Sequence, residues 1–167
     1  LNGASWTVAG DTLYQLPFTS GGSATELADG ITNPDDSNVS IAGSGDVSFQ
    51  LMIASSGVLY CYDISTDTLT EIPDISASYV TYTDGAFYAV DPTTSNLYVS
   101  APADVSSWDV LDVIQRSDYA DKWVTLMLSH GELWLPGSQS GSVYFSSNGA
   151  EFPFSPSPSG KVHRGNG

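Results

Sequence analysis

A short turn motif, in which a glycine precedes an apolar–aromatic pair, recurs along this chain and constrains its fold more than any other feature. The motif reads GVLY at Gly57–Tyr60, GAFY at Gly85–Tyr88 and GELW at Gly131–Trp134, and a looser copy, GDTLY, occupies Gly10–Tyr14. Another strand is expected ten residues after each first apolar position, which gives the pairs Leu59 and Leu69, Phe87 and Leu97, and Leu133 and Val143. A unit of strand, glycine turn, strand, polar loop and strand is therefore repeated three or four times.

The spacing of the repeats indicates the architecture. The turn glycines are 47, 28 and 46 residues apart, and a β-propeller blade usually contains about 40–50 residues. The interval of 28 residues leaves room for three strands but little for a fourth. Runs of Val, Ile, Tyr and Thr between turn residues favour strands over helices. We predict an all-β chain of β-propeller-like repeats, with three to four small antiparallel sheets that form part of a larger propeller. A meandering sandwich is the alternative.

Three segments differ from the repeats. Residues Val105–Asp118 place Trp108, Leu111 and Ile114 at three-residue spacing, which predicts one or two helical turns. Residues 155–167 are rich in Pro, Ser and Gly and are expected to be a connection that follows a repeat domain at 1–154, so we expect the chain to be a fragment of a longer one. The stretch FSSNGAEF at 145–152 resembles the Asp-box turn of sialidase-like propellers, which stabilises a hairpin and takes no part in catalysis.

The charge of the chain excludes two classes of partner. Four Lys and Arg residues face 19 Asp and Glu residues, and the formal net charge is −15. So few cations cannot neutralise a row of phosphates, and an anionic membrane repels such a surface. The single cysteine, Cys61, rules out an internal disulfide framework.

Residues with catalytic chemistry are few, and each has a structural explanation. The sequence contains neither a phosphate-binding G-x-x-x-x-G-K-[ST] loop nor a G-x-S-x-G nucleophile motif. His130 and His163 lie in a turn and in the polar tail without further metal ligands, and Cys61 lies on an expected strand as an inert thiol. We therefore predict no catalytic, cofactor-binding or metal-binding residue.

Two sets of side chains leave a functional alternative open. Paired carboxylates could serve a glycosidase, although aspartates in loops usually stabilise turns. The pairs are Asp35 and Asp36, Asp63 and Asp67, Asp109 and Asp112, and Asp118 and Asp121. The aromatic position of the repeat is expected to pack between sheets, and a sugar-stacking platform is the alternative. Its residues are Tyr14, Tyr60, Tyr88 and Trp134.

An ordered set of motifs in the second half of the chain resembles a known family. The motifs are YTDGAFY at 82–88, LYVSA at 97–101, WDVLDV at 108–113, SDYADKWV at 117–124, GELWLPG at 131–137, VYFSSNG at 143–149 and EFPF at 151–154. Earlier segments agree, namely GDTLY at 10–14, GVLYCYD at 57–63 and LTEI at 69–72. This succession resembles the packaged-DNA stabilisation proteins, also called tail accessory or hub proteins, of short-tailed bacteriophages.

The resemblance implies a non-enzymatic virion component of the phage tail or connector that forms the N-terminal part of a longer propeller protein. Several copies would ring the tail axis beneath the portal, contact portal, adaptor and tail proteins, and help to close the channel after packaging. The strong acidity fits a plug that repels DNA. The alternatives are an extracellular sialidase-like or carbohydrate-binding propeller and a phage fibre domain that binds a host glycan. Arg116 and Arg164 alone cannot form the arginine triad that a sialidase uses to bind a carboxylate.

Overall fold

The computed structural model describes residues 5–17, 19, 21–34, 37–45, 49–102, 104–116, 120–147 and 152–163. These residues form fifteen strands in four antiparallel sheets. The first sheet contains β1 (Ser5–Ala9), β2 (Thr12–Leu16) and β3 (Thr25–Asp29), and the second contains β4 (Ser40–Gly43), β5 (Gln50–Ser55), β6 (Gly57–Asp63) and β7 (Thr68–Ala77). The third contains β8 (Tyr79–Thr83), β9 (Ala86–Asp91), β10 (Asn96–Ser100) and β11 (Trp108–Gln115). The fourth contains β12 (Met127–Ser129), β13 (Glu132–Pro136), β14 (Ser140–Ser146) and β15 (Phe154–His163).

Each pair of consecutive sheets encloses one hydrophobic cluster. The alternation of side chains along a strand distributes residues between two clusters. In β5, Leu51 and Ile53 pack toward the first sheet, whereas Met52 and Ala54 pack toward the third. None of the three clusters in the described part of the chain joins the first sheet to the fourth. The expectation of an all-β chain of small antiparallel sheets is confirmed, with four repeated units. The described residues include no helix that is long and apolar enough to cross a membrane.

The sheets are arranged like the blades of a propeller, with their first strands together on one side. Strand β8 packs against both β4 and β12, so these three first strands form an inner column. Strand β7 packs against both β3 and β11, which places the last strands in an outer column. Because β3 belongs to the outer column, the three strands of the first sheet correspond to the second, third and fourth strands of the other sheets.

The glycines at positions 57, 85 and 131 form one kind of hairpin turn. In the second sheet Ser55 pairs with Val58, and the two loop residues, Ser56 and Gly57, have φ values of 50° and 85°. The turns at Gly85 and Gly131 follow the same pattern, with φ values of 82° and 78° at the glycine and a preceding residue that also has positive φ. Two consecutive positive φ values are typical of a type I′ turn, whose twist matches that of the flanking strands. This requirement explains why glycine recurs at these positions.

The unequal spacing of the glycines follows from where each hairpin lies in its sheet. The Gly10 and Gly57 turns join strands that occupy the second and third positions, whereas the Gly85 and Gly131 turns join the first and second strands. Intervals of 47 and 46 residues therefore correspond to a whole sheet, and the interval of 28 is shorter by one strand. The first strands of the last three sheets begin at residues 40, 79 and 127, which restores the usual blade size.

The third of the ten-residue intervals is not equivalent to the other two. Leu69 pairs with Tyr62 at the beginning of β7, in the same way that Leu97 pairs with Val90. In the fourth sheet, the residue that occupies the position of Leu69 is Gly141, because the loop before β14 is two residues shorter. Val143 therefore lies in the middle of its strand.

The prediction of helical turns over Val105–Asp118 is wrong. Residues 108–115 form β11, and Ser117 and Asp118 lie outside the described residues. Tyr98 of β10 pairs with Val113 and Ser100 pairs with Trp108, so β11 contains three more residues than its partner between these pairs. The bulge turns Leu111 into solvent, where it is 81% exposed. The three-residue spacing of apolar side chains arises from this bulge rather than from a helical turn.

Residues 155–163, which the sequence assigns to a connection, form most of β15 instead. This strand pairs with β14 through Ser146 and Phe154 at one end and through Ser140 and His163 at the other. Its prolines suggested a connection because proline cannot donate to a β-ladder, but β15 is an edge strand, where proline is tolerated. The assignment of 1–154 to one repeat domain stays a prediction.

Candidate interaction sites

Two polar loops of the repeat are held by the aspartate that begins them. In the β6–β7 loop, Asp63 Oδ1 accepts hydrogen bonds from the Ser65 hydroxyl at 2.6 Å and the Ser65 N–H at 2.8 Å. In the β9–β10 loop, Asp91 Oδ1 accepts from the Thr93 hydroxyl at 2.6 Å and the Thr93 N–H at 2.7 Å. The hydrogen bond from the Ser65 hydroxyl is the main cause that lowers the pKa of Asp63. Both carboxylates therefore act as turn anchors, as the sequence predicts for aspartates in loops.

In the fourth sheet the same role is filled by a residue from outside the loop. Gly137 occupies the position of Asp63 and Asp91, and the carboxylate of Asp121 lies in the space beside it. Asp121 Oδ1 accepts from the Ser140 hydroxyl at 2.6 Å, and Oδ2 accepts from the backbone N–H groups of Gln139 at 3.0 Å and Ser140 at 3.1 Å. These hydrogen bonds, that of the Ser140 hydroxyl above all, lower the pKa of Asp121 to about 2.

A buried arginine completes this junction between the third and fourth sheets. The side chain of Arg116 is only 1% exposed, and its guanidinium lies 3.4 Å from Asp121 Oδ1, bonds to the Ser140 hydroxyl and sits 5.9 Å from the ring centre of Trp123. Ser95 accepts from the backbone N–H of Arg116 through its carbonyl and from that of Trp123 through its hydroxyl, each at 3.2 Å. Because the guanidinium is committed to this junction, Arg116 is unsuited to bind the carboxylate of a sugar substrate.

Gly137 provides a test of the junction. A Cβ atom at this position would lie 2.4 Å from Asp121 Oδ2, 2.6 Å from Arg116 and 2.7 Å from the Ser140 carbonyl. We expect Gly137→Ala to lower the free energy of unfolding by about 2 kcal/mol, because the ion pair and the loop must move apart. In Gly45→Ala, the matched control, the new Cβ would meet nothing within 4 Å. Equal unfolding free energies of the two variants, measured in urea, would show that the junction is loosely packed.

Among the residues that the structure describes, the histidines and paired carboxylates do not converge on a catalytic site. His130 is exposed in its hairpin turn and shares a hydrogen bond with the Ser129 hydroxyl, while His163 belongs to β15. Asp109 accepts from the backbone N–H of Leu111 inside the bulge of β11. Among the described residues, no group of three or more His, Cys, Asp or Glu side chains could hold a metal ion. Outside the described residues lie Asp35, Asp36, Asp118 and residues 148–151 of the Asp-box-like stretch.

Cys61 is buried in the cluster between the second and third sheets, and 4% of its surface is exposed. Burial raises the pKa of the thiol to about 11, and the charges of Asp63 and Asp104 add to this shift. We expect Cys61 of the folded protein to react with a thiol reagent at pH 8 at least about 100-fold more slowly than Cys61 in 8 M urea. Equal rates in both conditions, followed by absorbance, would contradict the buried position.

The aromatic position of the repeat packs between sheets at two of its four copies. Tyr60 and Tyr88 are 4% and 0% exposed, and the Tyr60 hydroxyl accepts a hydrogen bond from the backbone N–H of Thr32 at 3.0 Å. Tyr14 and Trp134 are partly buried on the first and fourth sheets. Trp134 lines an open cavity of about 280 Å³ with Val143 on the outward face of the fourth sheet. The row of Met127, Trp134 and Val143 makes this face apolar.

The two ends of the stack differ in their described cations, while their described loops carry similar numbers of carboxylates. Alternate loops of an antiparallel sheet lie at the same end, and we call the end with the Gly85 and Gly131 turns the acidic end. Its described loops contain carboxylates but no Lys or Arg, namely Asp63, Asp67, Asp84 and Asp104. Arg116 and Lys122 both lie at the opposite end, where the Lys122 amine donates to the Thr93 carbonyl. Such an end is expected to repel phosphates, and the absence of non-specific nucleic-acid binding stays a prediction.

Sequence reasoning missed the Arg116–Asp121 junction. The sequence pairs Asp121 with Asp118 as a possible catalytic carboxylate, and it indicates for Arg116 only that it cannot form an arginine triad with Arg164 alone. The available signal was the glycine at position 137, where the two earlier repeats have an aspartate. A missing anchor in one repeat indicates that another residue replaces it.

Comparisons with known proteins agree with this architecture. A family model described as "Bacteriophage P22 Gp10, beta-propeller" matches residues 1–166. The chain is similar to the structure of YCF48 bound to D1 peptide, with a TM-score of 0.62 and 14% identity over 95% of this chain and 51% of the other. For a protein from Lactobacillus plantarum, the TM-score is 0.59 and the identity 13% over 96% of this chain and 53% of the other. These likenesses show the fold alone, and the chain spans about half the length of both structures. No curated protein is significantly similar to the chain.

Proposed function

Since the chain belongs to the bacteriophage P22 Gp10 β-propeller family, we propose that it is a component of the phage tail or head-to-tail connector that helps to close the portal channel and retain packaged DNA. The observation that carries this proposal is the family match over residues 1–166. The family consists of phage structural proteins that stabilise packaged DNA, and the chain acts there without catalysing a reaction. It forms the N-terminal part of a longer propeller protein.

The described chemistry supports a role in assembly. The carboxylates of Asp63, Asp91 and Asp121 hold loops in place, and Arg116 is buried in a junction between sheets. The acidic end disfavours a clamp that grips DNA by its phosphates. Retention therefore depends on protein–protein contacts, in which several copies surround the tail axis and contact portal, adaptor and tail proteins.

The proposal is tested by removing the protein from the phage. Particles assembled without it are expected to package DNA and then lose it, which is measured as the fraction of genome that DNase degrades in purified heads. Wild-type protein supplied in trans restores protection. Full protection in its absence would overturn the proposal. Electron microscopy of intact particles tests the location, because a ring below the portal is expected.

A separate measurement tests the repulsion of DNA. In a gel-shift assay at low salt, the chain is expected to leave duplex DNA unshifted, because its net charge is −15. Tight binding of the duplex would contradict a channel closed by protein contacts alone.

A further inference from the structure

Among the described residues, the first sheet lacks the strand that lies innermost in the other three. It contains three strands, and β1 occupies the position that β5 occupies in the second sheet. No described strand pairs with β1 on the side opposite β2. The edge of β1 therefore faces the column formed by β4, β8 and β12, in the place where a first strand is missing.

The pairing of β1 with β2 determines which backbone groups remain at this edge. Ala9 and Thr12 flank the two-residue turn and pair with each other, and so do Thr7 and Tyr14 one step further. The two residues of such a pair exchange backbone hydrogen bonds within the hairpin. The backbone N–H and C=O groups of the residues between these pairs point away from β2. The N–H and C=O groups of Trp6 and Val8 are therefore directed to the open edge.

A cavity lies beside this edge. Its volume is about 330 Å³, and it separates β1 from β4 and the segment that precedes β4. Both polar and apolar side chains line it, namely Trp6, Thr7, Val8, Asn38, Val39 and Ile41. The indole N–H of Trp6 is buried and has no hydrogen-bond partner among the described residues.

We propose that the edge of β1 receives an extended strand from a later part of the same full-length polypeptide, which completes the first sheet by antiparallel addition. The backbone N–H and C=O groups of Trp6 and Val8 pair with this strand. The proposal rests on the proposed role as part of a longer propeller.

Two observations favour a strand from the same polypeptide. The outward face of the fourth sheet is apolar around Trp134 and Val143, so further sheets continue the stack there. The similar solved structures are about twice as long as this chain. In a ring of blades the last sheet lies next to the first. The segment that forms the last sheet is therefore the part of the polypeptide that can reach the open edge of β1. A second copy would have to enter a recessed inner position instead.

Hydrogen exchange tests this proposal directly. In the 167-residue chain, the amides of Trp6 and Val8 are expected to exchange rapidly, whereas those of Thr7 and Ala9 are protected by β2. In the full-length polypeptide, the Trp6 and Val8 amides are expected to exchange at least about 100-fold more slowly than in the 167-residue chain. Unchanged rates overturn the proposal, and so does protection that appears in the 167-residue chain only as its concentration rises, because the strand then comes from a second copy.

A proline at the edge provides the matched variant. Val8→Pro removes an N–H that points away from β2, so the β1–β2 hairpin remains, while Val8→Ala keeps the N–H. Val8→Pro is expected to abolish protection of the Trp6 amide in the full-length polypeptide, and Val8→Ala to preserve it. Equal protection in both variants contradicts the proposal. This result is independent of DNA retention, which fails or holds without changing the exchange of these amides.

Discussion

Replacing Asp121 with asparagine is expected to lower the free energy of unfolding by about 3 kcal/mol. The substitution keeps the size of the side chain but removes the charge that faces the buried guanidinium of Arg116 at 3.4 Å. It also weakens the acceptor of the 2.6 Å hydrogen bond from the Ser140 hydroxyl. Urea unfolding followed by tryptophan fluorescence measures the change.

Asp104→Asn is the matched control for this effect. The carboxylate of Asp104 is exposed and accepts hydrogen bonds only from the hydroxyl and backbone N–H of Ser106 in the described structure, and an asparagine oxygen accepts the same bonds. Its unfolding free energy is expected to stay within about 0.5 kcal/mol of the wild type. Similar losses in both variants would show that Asp121 acts as an ordinary turn residue.

The same carboxylate makes stability depend on pH in a defined direction. Folding lowers the pKa of Asp121 from its usual value to about 2, so its contribution is complete above the unfolded pKa of about 3.9 and is lost as pH falls toward 2. Wild-type protein is therefore expected to lose more stability than Asp121→Asn between pH 4 and pH 2. If the unfolding free energies of the two proteins fall equally between pH 4 and pH 2, the lowered pKa of Asp121 is contradicted.

Leu133→Ala is expected to cost about 3 kcal/mol of unfolding free energy, because Leu133 is completely buried between the third and fourth sheets. Leu111→Ala removes the same atoms from a side chain that is 81% exposed, and we expect its effect to stay within about 0.5 kcal/mol. Supplied in trans, the Leu111 variant is expected to restore the proposed retention of DNA as fully as the wild type. Equal destabilisation by the two substitutions would place the core elsewhere.

Much of the fold follows from the local chemistry of the sequence. The glycines at 57, 85 and 131 identify the type I′ hairpins, because few other residues adopt the required positive φ. Their flanking apolar residues then identify strands that are buried on both faces. The glycines do not indicate which strands of the sheet each hairpin joins. That position depends on whether a further strand, such as β4 or β11, pairs beside the hairpin, and turn chemistry does not encode this pairing.

The remaining errors have a common physical origin. The bulge of β11 and the prolines of β15 both break the local pattern of a strand, and pairing with a neighbour restores the strand in each case. Likewise, the carboxylate of Asp121 reaches a loop that lies sixteen or more residues away in the sequence. Such contacts depend on packing of whole sheets against each other, which periodicity and spacing along the chain do not report.

The bulges of the outer strands also affect how copies of the protein behave when they are crowded together. The β7, β11 and β15 strands each contain three more residues than the neighbouring strand across the irregularity in their ladders. A straight outer edge is a template for strands of other molecules, and a bulged edge is not. The outer edges formed by these three strands are therefore expected to be poor templates for strand addition by another copy of the protein. The smooth edge of β1 is turned inward, away from such encounters.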